Sequence, residues 1–369
     1  MTFVTDKQMR PRVAVNSNER DIATEPDHIF RVRRQHRDTL PNLSLSVSFG
    51  SSGLMTTRRD FGRTNTMQIG EWSATPDLNE IYREIRDAGL ETNLAELEAF
   101  GFTVVPDALS REEVMAMRDL IVRHAEGQLG RKLDIEKESQ STASAGSGSD
   151  VSLIPFLLYK DPLFKRGVIN QKTLPLITYL LGKQCILSSL TCHLKGPGGH
   201  GLLLHSDNGN NIPDPFPPFA LVANCNYALT DYTEAGGSLA MVPGSHRQSR
   251  QTTKSEMKLD GNDRYQHVIP VEVPAGSAII WHGNTWHGSF PRTIPGLRIN
   301  LSTYFCREFI QPQENYRTTV PEGFLDPDKE ERLARLLGAD LAYGWTDEGP
   351  LKYYKRRTAA SAGVRSWYS

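Results

Sequence analysis

The chain has 369 residues, 38% of them hydrophobic and 23% charged, which excludes wholesale disorder and fibrous repeats and leaves room for one large domain or two ordinary ones. Lys and Arg total 42 against 43 Asp and Glu, so no global field gathers nucleic acid or an anionic membrane, and neither partner is expected. The four cysteines (Cys185, Cys192, Cys225, Cys306) have neither zinc-site spacing nor the density of a secreted scaffold, no run nears the roughly 20 apolar residues of a bilayer span, and acids interrupt the N-terminal arginines, so we expect reduced thiols and a cytoplasmic protein.

Residues 1–75 are polar and without sustained period, an extended arm with one short strand expected at Leu43-Ser-Leu-Ser-Val-Ser-Phe49. The arm offers a surface for homodimer formation. Helical spacing begins at Pro76 and runs to Phe100, followed by a strand, Phe102-Thr-Val-Val105. Ser110-Arg-Glu-Glu113 reads as a capping box opening a helix whose apolar face holds Val114, Met117, Leu120 and Ile121. Residues 138–150 are low in complexity and read as a flexible loop, either linker or lid. A further helix is expected over residues 173–181, stopped by Gly182.

From Cys185 to Arg307 short alternating runs are separated by Gly, Pro, Asn and Asp, the texture of a many-stranded sandwich or barrel. Strands are expected over residues 189–194, 220–227, 268–273, 277–281 and 297–304. Helix returns after Pro327, with Leu333, Leu336 and Leu337 on one face. The expected organisation is therefore an arm (1–75), one mainly β domain with flanking helices and a jelly-roll, cupin-like core (76–325), and a C-terminal helical tail (326–369).

A His followed two residues later by an acid can grip one ion from a strand, where both side chains share a face. With 10 His and 43 acids in the chain about one such pair is expected by chance, and three occur, so spacing alone selects nothing. His124 and Glu126 lie on the capped helix, where i and i+2 point apart. His36 and Asp38 lie in the arm. His205-Ser-Asp207 ends an apolar run in the strand-rich region and opens into a loop. A third ligand would come from Trp281-His-Gly-Asn-Thr-Trp-His-Gly-Ser289, which offers both His282 and His287. Two histidines and a carboxylate form the facial triad of non-haem Fe(II) oxygenases, and zinc accepts the same donors; spacing leaves both open. Arg298 and Ser289 tip the balance, because a guanidinium with a nearby hydroxyl is a fork for the far carboxylate of 2-oxoglutarate and serves no purpose in a zinc hydrolase.

Six motifs then resemble, in order, the phytanoyl-CoA dioxygenase (PhyH-like) family of Fe(II)/2-oxoglutarate oxygenases. They are Glu98 to Ser110, Leu194-Lys-Gly-Pro-Gly198, Leu204-His-Ser-Asp207, Leu229 to Leu239, Met241-Val-Pro-Gly-Ser-His246, and Pro274 to Ser289 with Arg298 after it. The resemblance implies a double-stranded β-helix core with His205, Asp207 and His287 as iron ligands. It also implies Arg298 and Ser289 on the distal carboxylate of 2-oxoglutarate, Thr191 and Asn226 beside the co-substrate, and His246 in a structural turn. Asn226 stands where relatives often carry Trp. Because halogenating members lose the carboxylate to Ala or Gly, Asp207 favours hydroxylation. The expected reaction is hydroxylation of an aliphatic C–H in a small molecule of natural-product, amino-acid or acyl type, with Fe(II) as cofactor and 2-oxoglutarate and O2 as co-substrates. The alternatives are desaturation, epoxidation or ring rearrangement at the same iron centre, or a zinc hydrolase or non-catalytic binder on the same fold.

Overall fold

The computed structural model describes residues 76–142, 152–198, 201–210, 212–259, 261–326, 329–338, 345–346 and 349–350. The chain divides at Thr64/Asn65 and every described residue belongs to the second unit. The N-terminal arm, its expected strand at 43–49, the His36/Asp38 pair and residues 143–151 lie outside the described residues.

The helical stretch from residue 76 is two helices, α1 (Pro76–Asp87) and α2 (Glu91–Phe100). They part at Gly89, whose φ of +67° is the left-handed conformation that glycine adopts without strain. Strand β1 (Phe102–Val105) follows, and then α3 (Arg111–Leu129). The capping box of α3 is formed in both directions: Ser110 Oγ accepts from the Glu113 N–H at 3.2 Å, and the Ser110 N–H donates to the Glu113 carboxylate at 2.9 Å. Val114, Met117 and Ile121 are buried and Leu120 is half-buried, as the spacing required.

The low-complexity stretch starts as packed structure. Glu138 is buried and accepts from the Arg131 guanidinium and from the N–H groups of Ser139 and Gln140. Thr142, fully buried, donates to the Leu194 carbonyl. Two short elements follow, β2 (Ser152–Ile154) and a single turn α4 (Lys165–Val168), before α5 (Leu174–Leu181) ends at Gly182.

Among the described residues eight strands build the core: β3 (Ile186–Leu194), β4 (Leu202–His205), β5 (Val222–Ala228), β6 (Leu239–Met241), β7 (Ile269–Val271), β8 (Ala278–His282), β9 (His287–Ser289) and β10 (Asn300–Cys306). They divide between two antiparallel sheets with orders β1-β8-β5-β10-β3-β2 and β4-β9-β6-β7. The chain changes sheet at every step from β3 to β10 except β6 to β7, which is jelly-roll connectivity. The sheets face one another through a shared cluster of Leu239 and Met241 from β6, Val271 from β7, and Ile279 and Trp281 from β8.

Strand alternation divides the large sheet between two tasks. Ala223, Cys225 and Tyr227 of β5, Ala278 and Ile280 of β8, and Leu301 and Phe305 of β10 join the main core with Met117 and Ile121 of α3 and Leu176 and Ile177 of α5. Their neighbours along each strand face the other sheet. Two late elements complete the fold, α6 (Tyr316–Thr319) and α7 (Glu331–Leu336), and Leu333, Leu336 and Leu337 are buried. Among the described residues of the expected helical tail, α7 is the helix. Trp345–Thr346 and Gly349–Pro350 pair as a two-residue ribbon, where Pro350 lacks the N–H a helix would need, and residues 351–369 lie outside the described residues. No helix among the described residues is long and apolar enough to cross a membrane. All four cysteines are buried and free of disulfides.

Candidate active site

His205 is the last residue of β4 and His287 the first of β9, and the two are register partners across the ladder. Asp207 opens a 3-10 turn directly after β4, which swings its carboxylate back toward the pair. One donor atom from each of the three lies within 4.8 Å of the others, the one cluster of this kind among the described residues. His205 Nε2 is 3.7 Å from Asp207 Oδ1 and His287 Nε2 is 3.5 Å from Oδ2. Each imidazole is oriented by the backbone two residues before it: His205 Nδ1 lies 2.9 Å from the Leu203 carbonyl within β4, and His287 Nδ1 lies 2.9 Å from that of Thr285 in the turn before β9. An Nδ1–H donated to a carbonyl leaves the Nε2 lone pair for an ion.

Burial and contact within the cluster set how each group is protonated. Burial alone would raise the Asp207 carboxyl, but the His287 ring and hydrogen bonds from His205 and Asn224 outweigh it and hold the group at about 2. Burial pushes His287 down to about 4. Burial also works to lower His205, but its hydrogen bond to Asp207 prevails and the net direction is upward. A carboxylate and two imidazoles whose Nε2 atoms converge are the donor set of a non-haem Fe(II) site, so the residues present fit that metal.

The next residues along β9 connect this cluster to a buried cationic group. Ser289 shares the face of His287, two positions on. Its Oγ accepts from Lys195 Nζ at 2.9 Å, and Lys195, fully buried, also donates to the Phe290 carbonyl at 2.8 Å. Lys195 and Arg298 form a backbone bridge with both hydrogen bonds made, so the two cations leave the chain side by side. Arg298 is 3% exposed; its guanidinium donates to the carbonyls of Gly237 and His193, sits 5.6 Å from the Tyr232 ring, and its Nε has no hydrogen-bond partner. A buried guanidinium with an unmatched N–H suits a carboxylate ligand.

Thr191 and Asn226 take neighbouring places on the inward face. Ser302 of β10 is the register partner of Thr191 on one side and Asn226 on the other, so the three form a row across the large sheet. Asn226 accepts from the Tyr232 hydroxyl at 3.0 Å, which places it beside the ring under Arg298.

Alternation also separates the two candidate histidines of the 281–289 segment. His282 points to the other face of β8, accepts from the Asn284 N–H at 3.0 Å, and is pushed down to about 3 by burial. It pairs instead with His246, ring centroids 5.7 Å apart, and both line a cavity of about 560 Å³ with Arg247 and Arg307. None of the three clustered residues lines that cavity, and the converging donors rather than the cavity mark the chemistry. The Pro-rich segment after Asp207 is fastened down: Phe216 N–H donates to the Ser249 carbonyl and Asp214 accepts from Gln251 N–H.

Three participants escaped the sequence reading. Lys195 lies in the Leu194-Lys-Gly-Pro-Gly motif, but lysine is so seldom buried that composition points it to solvent. Asn224 and Trp281 both donate to Asp207, at 3.1 and 3.2 Å. The available signal was their parity, since each sits at an inward position of a strand otherwise rich in apolar residues.

A jelly roll that encloses two imidazoles, a carboxylate and a buried guanidinium defines a non-haem metal oxygenase. The sequence profile of phytanoyl-CoA dioxygenase (PhyH) matches residues 97–299, a span that contains every one of these side chains. The chain belongs to this family of Fe(II)/2-oxoglutarate-dependent oxygenases. Among its relatives are the dioxygenase af480 of Aspergillus fumigatus, 25% identical over 305 residues that cover 81% of this chain and 93% of the relative. The ectoine dioxygenase of Stutzerimonas stutzeri is 25% identical over 285 residues, covering 64% of this chain and 89% of the relative. Among solved structures, HygX from Streptomyces hygroscopicus with nickel and 2-oxoglutarate bound is 16% identical, with a TM-score of 0.47, over 59% of this chain and 87% of HygX.

Proposed function

We propose that this chain hydroxylates an aliphatic C–H of a small molecule, of natural-product, amino-acid or acyl type, in a reaction that consumes 2-oxoglutarate and O2. The observation that carries this reading is the continuity along β9 from the His205–Asp207–His287 cluster to the buried group of Ser289, Lys195 and Arg298. His205, Asp207 and His287 would hold Fe(II). Bound iron, with 2-oxoglutarate and O2, supplies the oxidising power for C–H cleavage while 2-oxoglutarate leaves as succinate and CO2.

The remaining work falls to the chain. His205 and His287 keep their protons on Nδ1, fixed by Leu203 and Thr285, and present Nε2. Asp207 stays ionised across the physiological range. The Arg298 guanidinium pairs with the distal carboxylate of 2-oxoglutarate, with the Ser289 hydroxyl and the Lys195 ammonium beside it. Thr191 and Asn226 line the same inner face and limit how the co-substrate lies. The packed sheets, with Trp281 against His287 at 4.8 Å between ring centroids, keep bulk water from one side of the site. The retained carboxylate of Asp207 favours hydroxylation over halogenation, and relatives named as dioxygenases support the reaction class.

The decisive experiment is anaerobic reconstitution with Fe(II) and 2-oxoglutarate, following the weak visible charge-transfer band of the chelate. The band should form in the wild type and fade in Arg298→Ala. Its absence, together with tight zinc binding, would replace this reading with a hydrolase or a binding protein.

A further inference from the structure

Asp207 is gripped from behind as well as faced by the two histidines. Asn224 Nδ2 donates to its Oδ2 at 3.1 Å, and the Trp281 indole N–H donates to the same oxygen at 3.2 Å. The two donors are register partners on the paired strands β5 and β8, both on the inward face, so the ladder itself aims them at one point. The chemistry allows no other assignment of the Asn224 amide. An ionised carboxylate only accepts, so the NH2 end faces Asp207; the carbonyl end is then held by the Ser302 hydroxyl, which donates to Asn224 Oδ1 at 3.1 Å. Trp281 is 2% exposed, and a buried indole N–H must find an acceptor.

We propose that Asn224 and Trp281 are positioning residues for the metal ligand: by occupying Oδ2 they fix the carboxylate plane and assign Oδ1, the oxygen facing His205, to the ion. Two N–H donors take about the lone-pair capacity of one carboxylate oxygen, and ligation through the other oxygen alone keeps more of the ion's coordination sphere for co-substrate and O2. Ser302 acts one step further out, by keeping the Asn224 amide turned the right way. The proposal rests on the reading of His205, Asp207 and His287 as the metal site, and its test separates the two.

The measurement is cobalt(II) and anaerobic iron(II) affinity by equilibrium dialysis on the full chain, beside the melting midpoint of the metal-free protein. Trp281→Phe keeps an aromatic ring beside His287 and removes the N–H along with part of the indole, a loss of volume that the melting midpoint reads separately; Asn224→Ala removes the second donor, and Asn224→Ser is a smaller change should the alanine variant fold poorly. Each of Trp281→Phe and Asn224→Ala should weaken the metal by roughly 10- to 100-fold, with Ser302→Ala weaker by a few-fold. A purely structural role would lower the melting midpoint and leave affinity unchanged, and that result overturns the proposal. Asp207→Ala is the reference: if it too leaves metal affinity unchanged, the metal site itself is wrongly placed, whereas loss of binding there with full affinity in the other variants overturns the positioning role alone.

Discussion

The two faces of the large sheet are built from the same strands and do opposite things. Toward the helices, β5 and β10 present Ala223, Cys225, Tyr227, Leu301 and Phe305 to a continuous apolar core. Toward the other sheet, the residues between them are Asn224, Asn226, Asn300 and Ser302, all within 9% of full burial. Burying amides and hydroxyls costs free energy unless each finds a partner, and here they do: Asn224 with Ser302 and Asp207, Asn226 with Tyr232, and Asn300 with the His193 N–H. One face therefore carries stability and the other carries a polar interior that serves the site.

That division can be broken from either side. The largest effect is expected from Asp207→Ala, which should abolish metal-dependent 2-oxoglutarate consumption, read as succinate release, while the metal-free protein melts within a few degrees of the wild type. Substitution one face over should do the reverse. Leu301→Ala is expected to cost about 2–5 kcal/mol in urea unfolding, by loss of buried contacts and the cavity left behind, with metal affinity retained. Its neighbour Ser302 should change metal affinity more than stability, and equal effects at both positions would dissolve the distinction.

His282 sharpens the same contrast through pH. Its ordinary value of 6.5 falls to about 3 on folding because burial disfavours the cation. Between those values the unfolded chain binds a proton that the folded chain does not, so stability is full above pH 6.5 and declines as pH falls toward 3. By pH 4.5 the loss from this one group is on the order of 2–3 kcal/mol. His282→Asn should flatten that part of the profile, measured as urea midpoints at pH 7 and 4.5. At Arg298→Ala, loss of charge-assisted hydrogen bonds should cost about 1.5–3 kcal/mol, raising the 2-oxoglutarate KM roughly 10- to 100-fold with little change in metal affinity.

Much of this arrangement is legible in the residues alone. The capping box at Ser110, the stop at Gly182 and strands β1, β3, β5, β8 and β10 follow from local chemistry and alternation. The joining of His205, Asp207 and His287 follows from the resemblance to the family and not from spacing, which offers His282 and His287 alike. What escapes is structure defined by pairing. Strands β6 and β9 are three residues each, too short to show a period, and exist because Met241 pairs with His287 and Leu239 with Ser289. The break at Gly89 hides beneath apolar spacing that continues on both sides. Glu138 sits in a stretch whose composition reads as loose, yet it gathers three donors that no composition reveals. Lys195 and, but for its parity, Asn224 are hidden for the complementary reason: polar side chains on strands signal solvent, and here the partners that make burial tolerable come from distant parts of the chain.

The carbonyls that orient the two imidazoles lie two residues upstream of each, at Leu203 and Thr285. Each histidine is thus aimed in part by a three-residue piece of its own backbone, with Asp207, Met241 and Trp281 as the contacts that the stretch between them adds. Loops in that stretch that leave Asp207, Asn224, Met241 and Trp281 in place can lengthen, shorten or change composition over generations without turning either ring. A lineage can in this way exchange the walls that meet the substrate while inheriting the reaction intact.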